Sequence, residues 1–372
     1  MDCRAFDEQL VRRDPKVAGL MDKFVCVRLV QANALDLTLF QFDYDLTFAA
    51  FFVNADRTIY GRYGSRSDRK DATKDISIEG LRQALVGALD LHRHYPANKA
   101  SLAGKQPKPA PFKTPDEYPS LRGKYEAKLD YDGKVVQSCM HCHQVREAER
   151  RFFRDDKKSI PDGVLCPYPM PDAVGLSVDP KSKAKVKEVE SGSAAEKAGI
   201  RAGDELVALD GQPILSIADI QWVLHNSGAP ADIPAQIVRG RKKVNITLKV
   251  VTDWRRRHSD IAWRTTTWDL RRMAAGGLLL EDATAEERRQ AKLSGDALAL
   301  RVQHVGEYGE HAVAKRAGFK KDDILLSVDS QTRHMTESQL LGYLLQRKMP
   351  GEKIPVTVLR GGDQINLELP MQ

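Results

Sequence analysis

The sequence predicts a multidomain protein joining an α/β layer at the N-terminus to α+β modules at the C-terminus. Three observations carry this. The chain has 372 residues, more than one ordinary hydrophobic core holds, so roughly two to four domains are expected. Two long stretches of the C-terminal half overlay on each other as an internal repeat. Between the halves lies Ser138-Cys139-Met140-His141-Cys142-His143-Gln144, which holds two of the five cysteines and two of the nine histidines. Hydrophobic residues at 42% and charged residues at 29% describe a globular chain, neither disordered nor fibrous.

Residues 1–98 read as helix, strand, hairpin, helix. Phe6, Leu10 and Val17 to Met21 fit a helical apolar stripe interrupted at Asp14-Pro15. Phe24 to Val30 is β-rich and predicts a buried strand, with Cys26 in its core. Phe48 to Val53 and Thr58 to Gly64 predict two further strands turned at Asn54-Ala55-Asp56-Arg57. Ile78, Leu81, Leu85, Leu89 and His92 lie along one face of a helix over 78–94.

This order resembles the thioredoxin fold. Cys3-Arg4-Ala5-Phe6-Asp7 is similar to the second half of the redox motif of thioredoxin-like families outside the cytoplasm. The resemblance implies that Cys3 is a redox thiol, its thiolate favoured by a helix N-terminus. Two departures stand out. The partner cysteine would fall three positions before Cys3, beyond the start of the chain, and Leu46 stands where the family has a cis-proline.

Residues 99–114 form a proline-rich linker, Lys105-Gln106-Pro107-Lys108-Pro109-Ala110-Pro111 at its centre. In 115–171, Tyr118, Leu121, Tyr125 and Leu129 predict a helix before the C-x-x-C-H stretch, and Val145 to Phe153 one after it. Cys139 and Cys142 are spaced to reach two vinyl groups of one porphyrin, with His143 beneath the iron, so haem c is the first reading. Met170, beside Pro169 and Pro171, is the candidate second axial ligand. Zinc is the alternative, held by Cys139 and Cys142 with His141 or His143 and Cys166. A redox dithiol or disulfide is the third. Locally the segment resembles a small cytochrome c domain.

In the repeat, Gly192 to Gly211 lies over His311 to Asp329. Each copy reads as a short helix, an Ala-Gly turn, an acidic turn and an apolar strand ending in Asp. A second helix and a closing strand pair follow in both, Ile217 to Leu224 with Ala235 to Val251, and Glu337 to Leu345 with Ile354 to Leu369. Both copies resemble PDZ domains, partly open β-barrels with helices, in the permuted form of bacterial periplasmic proteases. The first spans 172–252 and the second 273–372, joined by a tryptophan-rich connector over 253–272. The resemblance implies that polypeptide C-termini or extended segments add to a sheet edge, backbone amides cradling the carboxylate. By position the first groove takes Gly175, Leu176, Ser177, Val178, Ile220, Val223 and Leu224. The second takes Gly277, Leu278, Leu279, Leu340, Leu341 and Leu344. Trp254, Trp263 and Trp268 are expected to pack the two copies together.

The net charge of +7 comes from interspersed residues, and no basic run exceeds three residues, as at Arg255-Arg256-Arg257, so no nucleic-acid partner is expected. No apolar run approaches the roughly 18 residues of a membrane span. No segment offers G-x-S-x-G or H-E-x-x-H, and the assigned modules leave no room for a protease domain. The N-terminus lacks a signal-peptide profile. A complete chain would therefore be cytoplasmic, and a truncated or processed one periplasmic, where haem c is attached. The whole order resembles the thioredoxin/PDZ fusion proteins of planctomycete-type bacteria. That resemblance implies an extracytoplasmic redox or haem c-binding protein whose PDZ domains bind polypeptides. The alternative is a non-catalytic PDZ scaffold with a zinc or disulfide clip at Cys139 and Cys142.

Overall fold

The computed structural model describes residues 3–68 and 71–372, and the chain divides into two compact units. The first contains residues 1–145 and 166–259, the second 146–165 and 260–372.

Helix α1 (Cys3–Val11) precedes α2 (Pro15–Met21). The Asp14 carboxylate accepts from the Lys16 N–H, and Pro15 opens α2 where a missing N–H costs nothing. Strands β1 (Ala50–Val53) and β2 (Ile59–Tyr63) form an antiparallel hairpin turned through Arg57, at φ 70°. Helix α3 (Ile78–Arg93), capped by Ser77, buries Leu81, Ala84, Leu85 and Ala88 in a core with Phe6, Val17, Phe52 and Tyr63. The short α4 (Lys99–Leu102) adds Leu102 to the same core.

This layer corrects the thioredoxin expectation, because among the described residues its sheet has two strands. The run at 24–30 is not a strand. Val25, Val27, Leu29 and Val30 are 95, 78, 59 and 67% exposed, and Cys26 is exposed with them. β-propensity reports fit to a half-buried pleated surface, and among the described residues no strand pairs with this run to provide one.

The segment at 115–129 is likewise not helical. A single 3₁₀ turn, Pro115–Glu117, leads into turns that bury Tyr118 and Leu121. Pro119 removes a donor and Gly123 takes φ +74°, and both oppose a continuous helix. Helices α5 (Val135–Ser138), α6 (Cys142–Asp155) and α7 (Asp162–Leu165) follow.

The first copy of the repeat runs β3 (Leu176–Val178), β4 (Val186–Val189), α8 (Ala194–Lys197), β5 (Glu205–Leu209), β6 (Gln212–Pro213), α9 (Ile217–Asn226), β7 (Ala231–Arg239) and β8 (Lys242–Val250). Strands β3 and β4 pair with each other, and a second sheet has the order β6-β5-β7-β8. Their shared core takes Leu176, Val186, Leu206, Ile220, Ile237, Leu248 and Trp254. Trp254 thus seals this domain rather than joining two, its Nε1 donating to the Gly228 carbonyl at 3.0 Å.

The second unit carries α10 (Thr267–Ala275), β9 (Leu278–Asp282), α11 (Ala285–Gln290), β10 (Leu300–Val305), α12 (Val313–Arg316), β11 (Ile324–Val328), α13 (Glu337–Arg347), β12 (Lys353–Arg360) and β13 (Asp363–Pro370). Its sheet order is β13-β12-β11-β10-β9.

The two copies share one stabilising bracket. Buried Asp204 accepts from the Arg201 N–H and from Arg239 Nε and Nη2 at 2.8 Å each, and Arg239 Nη2 also reaches the Gly199 carbonyl. Asp323 repeats this with the Lys320 N–H, Arg360 and the Gly318 carbonyl. The fork of Arg239 holds the Asp204 carboxyl below its ordinary range.

Helix α9 has no water-facing side over Ile217–Leu224. Ile217, Ile220, Val223 and Leu224 face the domain core. The Asp219 carboxylate accepts from the Arg62 N–H at 3.1 Å and the Leu215 N–H at 3.0 Å, and lies 2.8 Å from Lys105 Nζ. Trp222 Nε1 donates to the Gly104 carbonyl, and the Arg62 guanidinium sits 3.7 Å from its ring centroid. Gln221 donates to the Tyr168 carbonyl, and the Tyr168 ring stacks on His225 at 4.1 Å. Arg255 closes the C-terminus of α9 on the His225 and Ser227 carbonyls, a favourable place for a cation.

Candidate functional site

The C-x-x-C-H stretch is folded by one asparagine. Asn33 Nδ2 donates to the Glu126 and Ser138 carbonyls, while its Oδ1 accepts from the Met140 N–H at 2.7 Å. The Met140 carbonyl accepts from Ala32, and the Met140 side chain is fully buried. Cys139 and Cys142 are free thiols, half-buried, and burial pushes the Cys142 thiol upward, toward the less reactive protonated form. His143 Nδ1 lies 3.2 Å from the Tyr44 carbonyl and 4.0 Å from Asp45, and His141 is exposed.

These donors do not converge. Among the described residues no group of three or more His, Cys, Asp or Glu side chains could hold a metal ion, so the zinc set of Cys139, Cys142, His141 and Cys166 is not assembled. Cys166 is buried. Met170, the candidate axial ligand, packs on the core of the first repeat copy. Cys3 begins α1, and its side chain lies outside the described residues.

The groove residues of the first copy are placed as follows. Leu176, Val178, Ile220, Val223 and Leu224 are all core side chains, and Ser177 is exposed. Gly175 has φ +85°, and its N–H donates to the Asp172 carbonyl at 2.8 Å. A Cβ on Gly175 would lie 2.1 Å from Ser193 Cβ. Gly175→Ala is therefore expected to cost at least about 2 kcal/mol, read as a shift of the urea midpoint. In the second copy Leu278, Leu340, Leu341 and Leu344 are buried and Leu279 is half-buried. Gly277, at φ +92°, has no room for a Cβ beneath the His311 carbonyl.

Two residues that pattern-reading missed stand in the second copy, Glu337 and Arg271. Laying the helices N-cap on N-cap, Ser216 on Thr336, puts Glu337 opposite the core residue Ile217. An acid at an apolar position of the repeat was the available signal. Glu337 is buried and paired in two bonds with Arg271, Nε to Oε1 at 2.8 Å and Nη2 to Oε2 at 2.6 Å.

The fold of the first copy is that of a PDZ domain, and the PDZ-domain family model matches residues 185–231. A probable periplasmic serine protease do/HhoA-like of Haemophilus influenzae is 28% identical over 43% of this chain and 30% of its own length. A probable periplasmic serine endoprotease DegP-like of Pseudomonas putida is 24% identical over 43% of this chain and 32% of its own. The periplasmic serine endoprotease DegP of Escherichia coli is 33% identical over 21% of this chain and 16% of its own. The chain thus spans less than a third of the length of these relatives. The solved HtrA-type protease AlgW with decapeptide is 18% identical over 37% of this chain and 47% of that one, at a TM-score of 0.24, too loose to carry a conclusion.

These relatives correct the sequence reading. They are periplasmic serine proteases of the DegP and HhoA type, so the resemblance to thioredoxin/PDZ fusion proteins is overturned. The haem c and redox roles of Cys139, Cys142, His143 and Cys3, and the non-catalytic scaffold with a zinc or disulfide clip, give way with it. No helix among the described residues is long and apolar enough to cross a membrane.

Proposed function

We propose that the chain acts in periplasmic proteolysis of the HtrA/DegP type, its PDZ repeat capturing extended polypeptide segments. The observation that carries this is the PDZ match over 185–231 on a chain whose relatives are described as periplasmic serine endoproteases. The physical basis is strand addition, in which main-chain hydrogen bonds supply affinity and side-chain pockets supply selectivity. Support for a second PDZ unit over 273–372 comes from the order β13-β12-β11, which repeats β8-β7-β5 of the first copy, and from the Asp323–Arg360 bracket that repeats Asp204–Arg239.

The test uses the full chain with fluorescein-labelled, reduced and carboxymethylated casein. Saturable anisotropy is the expected result, and its absence would overturn the capture role. Loss of intact casein that a serine-reactive fluorophosphonate blocks would place the cleaving serine in this chain, and binding without cleavage would restrict the chain to substrate capture.

A further inference from the structure

Strand addition needs a free sheet edge. In the second unit the sheet ends on β13 at one side and β9 at the other, and helix α13 packs on β9. Between these walls a polypeptide would lie. The space is taken. Helix α10 packs against both β9 and α13, with Leu270, Arg271, Met273 and Ala274 buried. The edge itself is capped, because the Leu280 N–H donates to Glu337 Oε1 at 2.9 Å. Glu337 is in turn held by the two bonds from Arg271, whose Nη2 also donates to the Ala262 carbonyl at 3.0 Å. One carboxylate from α13 thus occupies the acceptor position on β9 that an incoming chain would need, and one guanidinium from α10 holds it there.

We propose that α10 is a built-in cover over the β9–α13 groove, latched by Arg271 and Glu337, and that an extended polypeptide binds this unit only when α10 has left. The inference rests on the peptide-capture reading above. The chemistry defines the competitor: a main-chain carbonyl or a terminal carboxylate that replaces Glu337 on the Leu280 N–H. Two consecutive glycines, Gly276 at φ +59° and Gly277 at φ +92°, join α10 to β9. Gly276 closes α10 in the left-handed conformation, so the pivot for release sits at the helix end. A closed unit binds more weakly by the fraction of molecules that are open.

The test is amide hydrogen exchange by mass spectrometry on the full chain, with and without saturating reduced carboxymethylated α-lactalbumin, on the wild type and on Arg271→Glu. In the wild type, residues 278–282 are expected to gain protection while 267–275 lose it. Arg271→Glu sets two like charges face to face, and is expected to bind the probe about tenfold more tightly, with Arg271→Lys, which keeps the charge but not the two-bond fork, between it and the wild type. Protection of 278–282 with 267–275 still protected would overturn the cover. So would an Arg271→Glu protein that binds no more tightly, or binding confined to 176–178 in both proteins. Should Arg271→Glu fail to fold, the wild-type exchange pattern alone decides. Absence of the probe from both 176–178 and 278–282 in every protein would instead overturn the capture reading, and the cover with it.

Discussion

Asp219→Ala is expected to destabilise the first unit by about 3–5 kcal/mol, the cost of breaking a buried ion pair by removing one partner. The loss follows from what is stranded. Lys105 and Asp219 are each about 1% exposed at the side chain and 2.8 Å apart. Without the carboxylate, an ammonium with no access to water faces the Arg62 guanidinium, and the Arg62 and Leu215 N–H groups lose their acceptor. Burial already pushes Lys105 below its ordinary value of 10.5 against the pull of Asp219. The pH dependence has a definite sign. A lysine whose folded pKa lies below its unfolded one binds fewer protons when folded, so stability rises as pH climbs toward 10.5. The variant should therefore recover part of its loss between neutral and alkaline pH. Urea denaturation at a series of pH values reads both effects. A near-neutral result at pH 7 would show that water reaches Lys105. The double change Lys105→Met with Asp219→Leu removes both charges together and is expected to lie much nearer the wild type.

Trp222→Ala carries the second large effect, about 3–5 kcal/mol. The indole is 1% exposed, donates to the Gly104 carbonyl and supports the Arg62 guanidinium on its face. Its removal opens a cavity, leaves a buried carbonyl without its donor, and strips Arg62 of a cation–π partner. Because Arg62 also meets Asp219 through its backbone N–H, the two substitutions share a partner. Their double mutant should fall short of the sum of the singles. Strict additivity in thermal or urea melts would argue against one connected network.

What the sequence revealed of this fold was what local periodicity and repetition encode. Helices α3, α9 and α13 follow from apolar spacing behind Ser or Thr caps at Ser77, Ser216 and Thr336. The hairpins β7–β8 and β12–β13 follow from alternation around Gly240 and Gly361-Gly362. What it misled on were features that depend on a partner elsewhere in the chain. Val25 to Val30 has the composition of a strand, and among the described residues no strand pairs with it. Tyr118 and Leu121 are buried by turns that only share the helical spacing. The Cys139-Met140-His141-Cys142-His143 spacing reads as cofactor attachment, but spacing cannot show whether further donors gather around it, and among the described residues they do not. The Lys105–Asp219 and Arg271–Glu337 pairs join residues 114 and 66 positions apart by number, a separation no local pattern spans.

The burial of α9 on every flank bears on how the protein can be taken apart. A fragment cut at residues 172 and 252 would leave Ala218 and Trp222 on a bare apolar ridge, with an orphaned carboxylate at Asp219 between them. Such a piece would be expected to self-associate, and stickiness measured on it would report the wound rather than the receptor. A peptide-binding test of this domain therefore calls for the intact first unit, in which Arg62, Ser65, Gly104 and Lys105 act as its second skin.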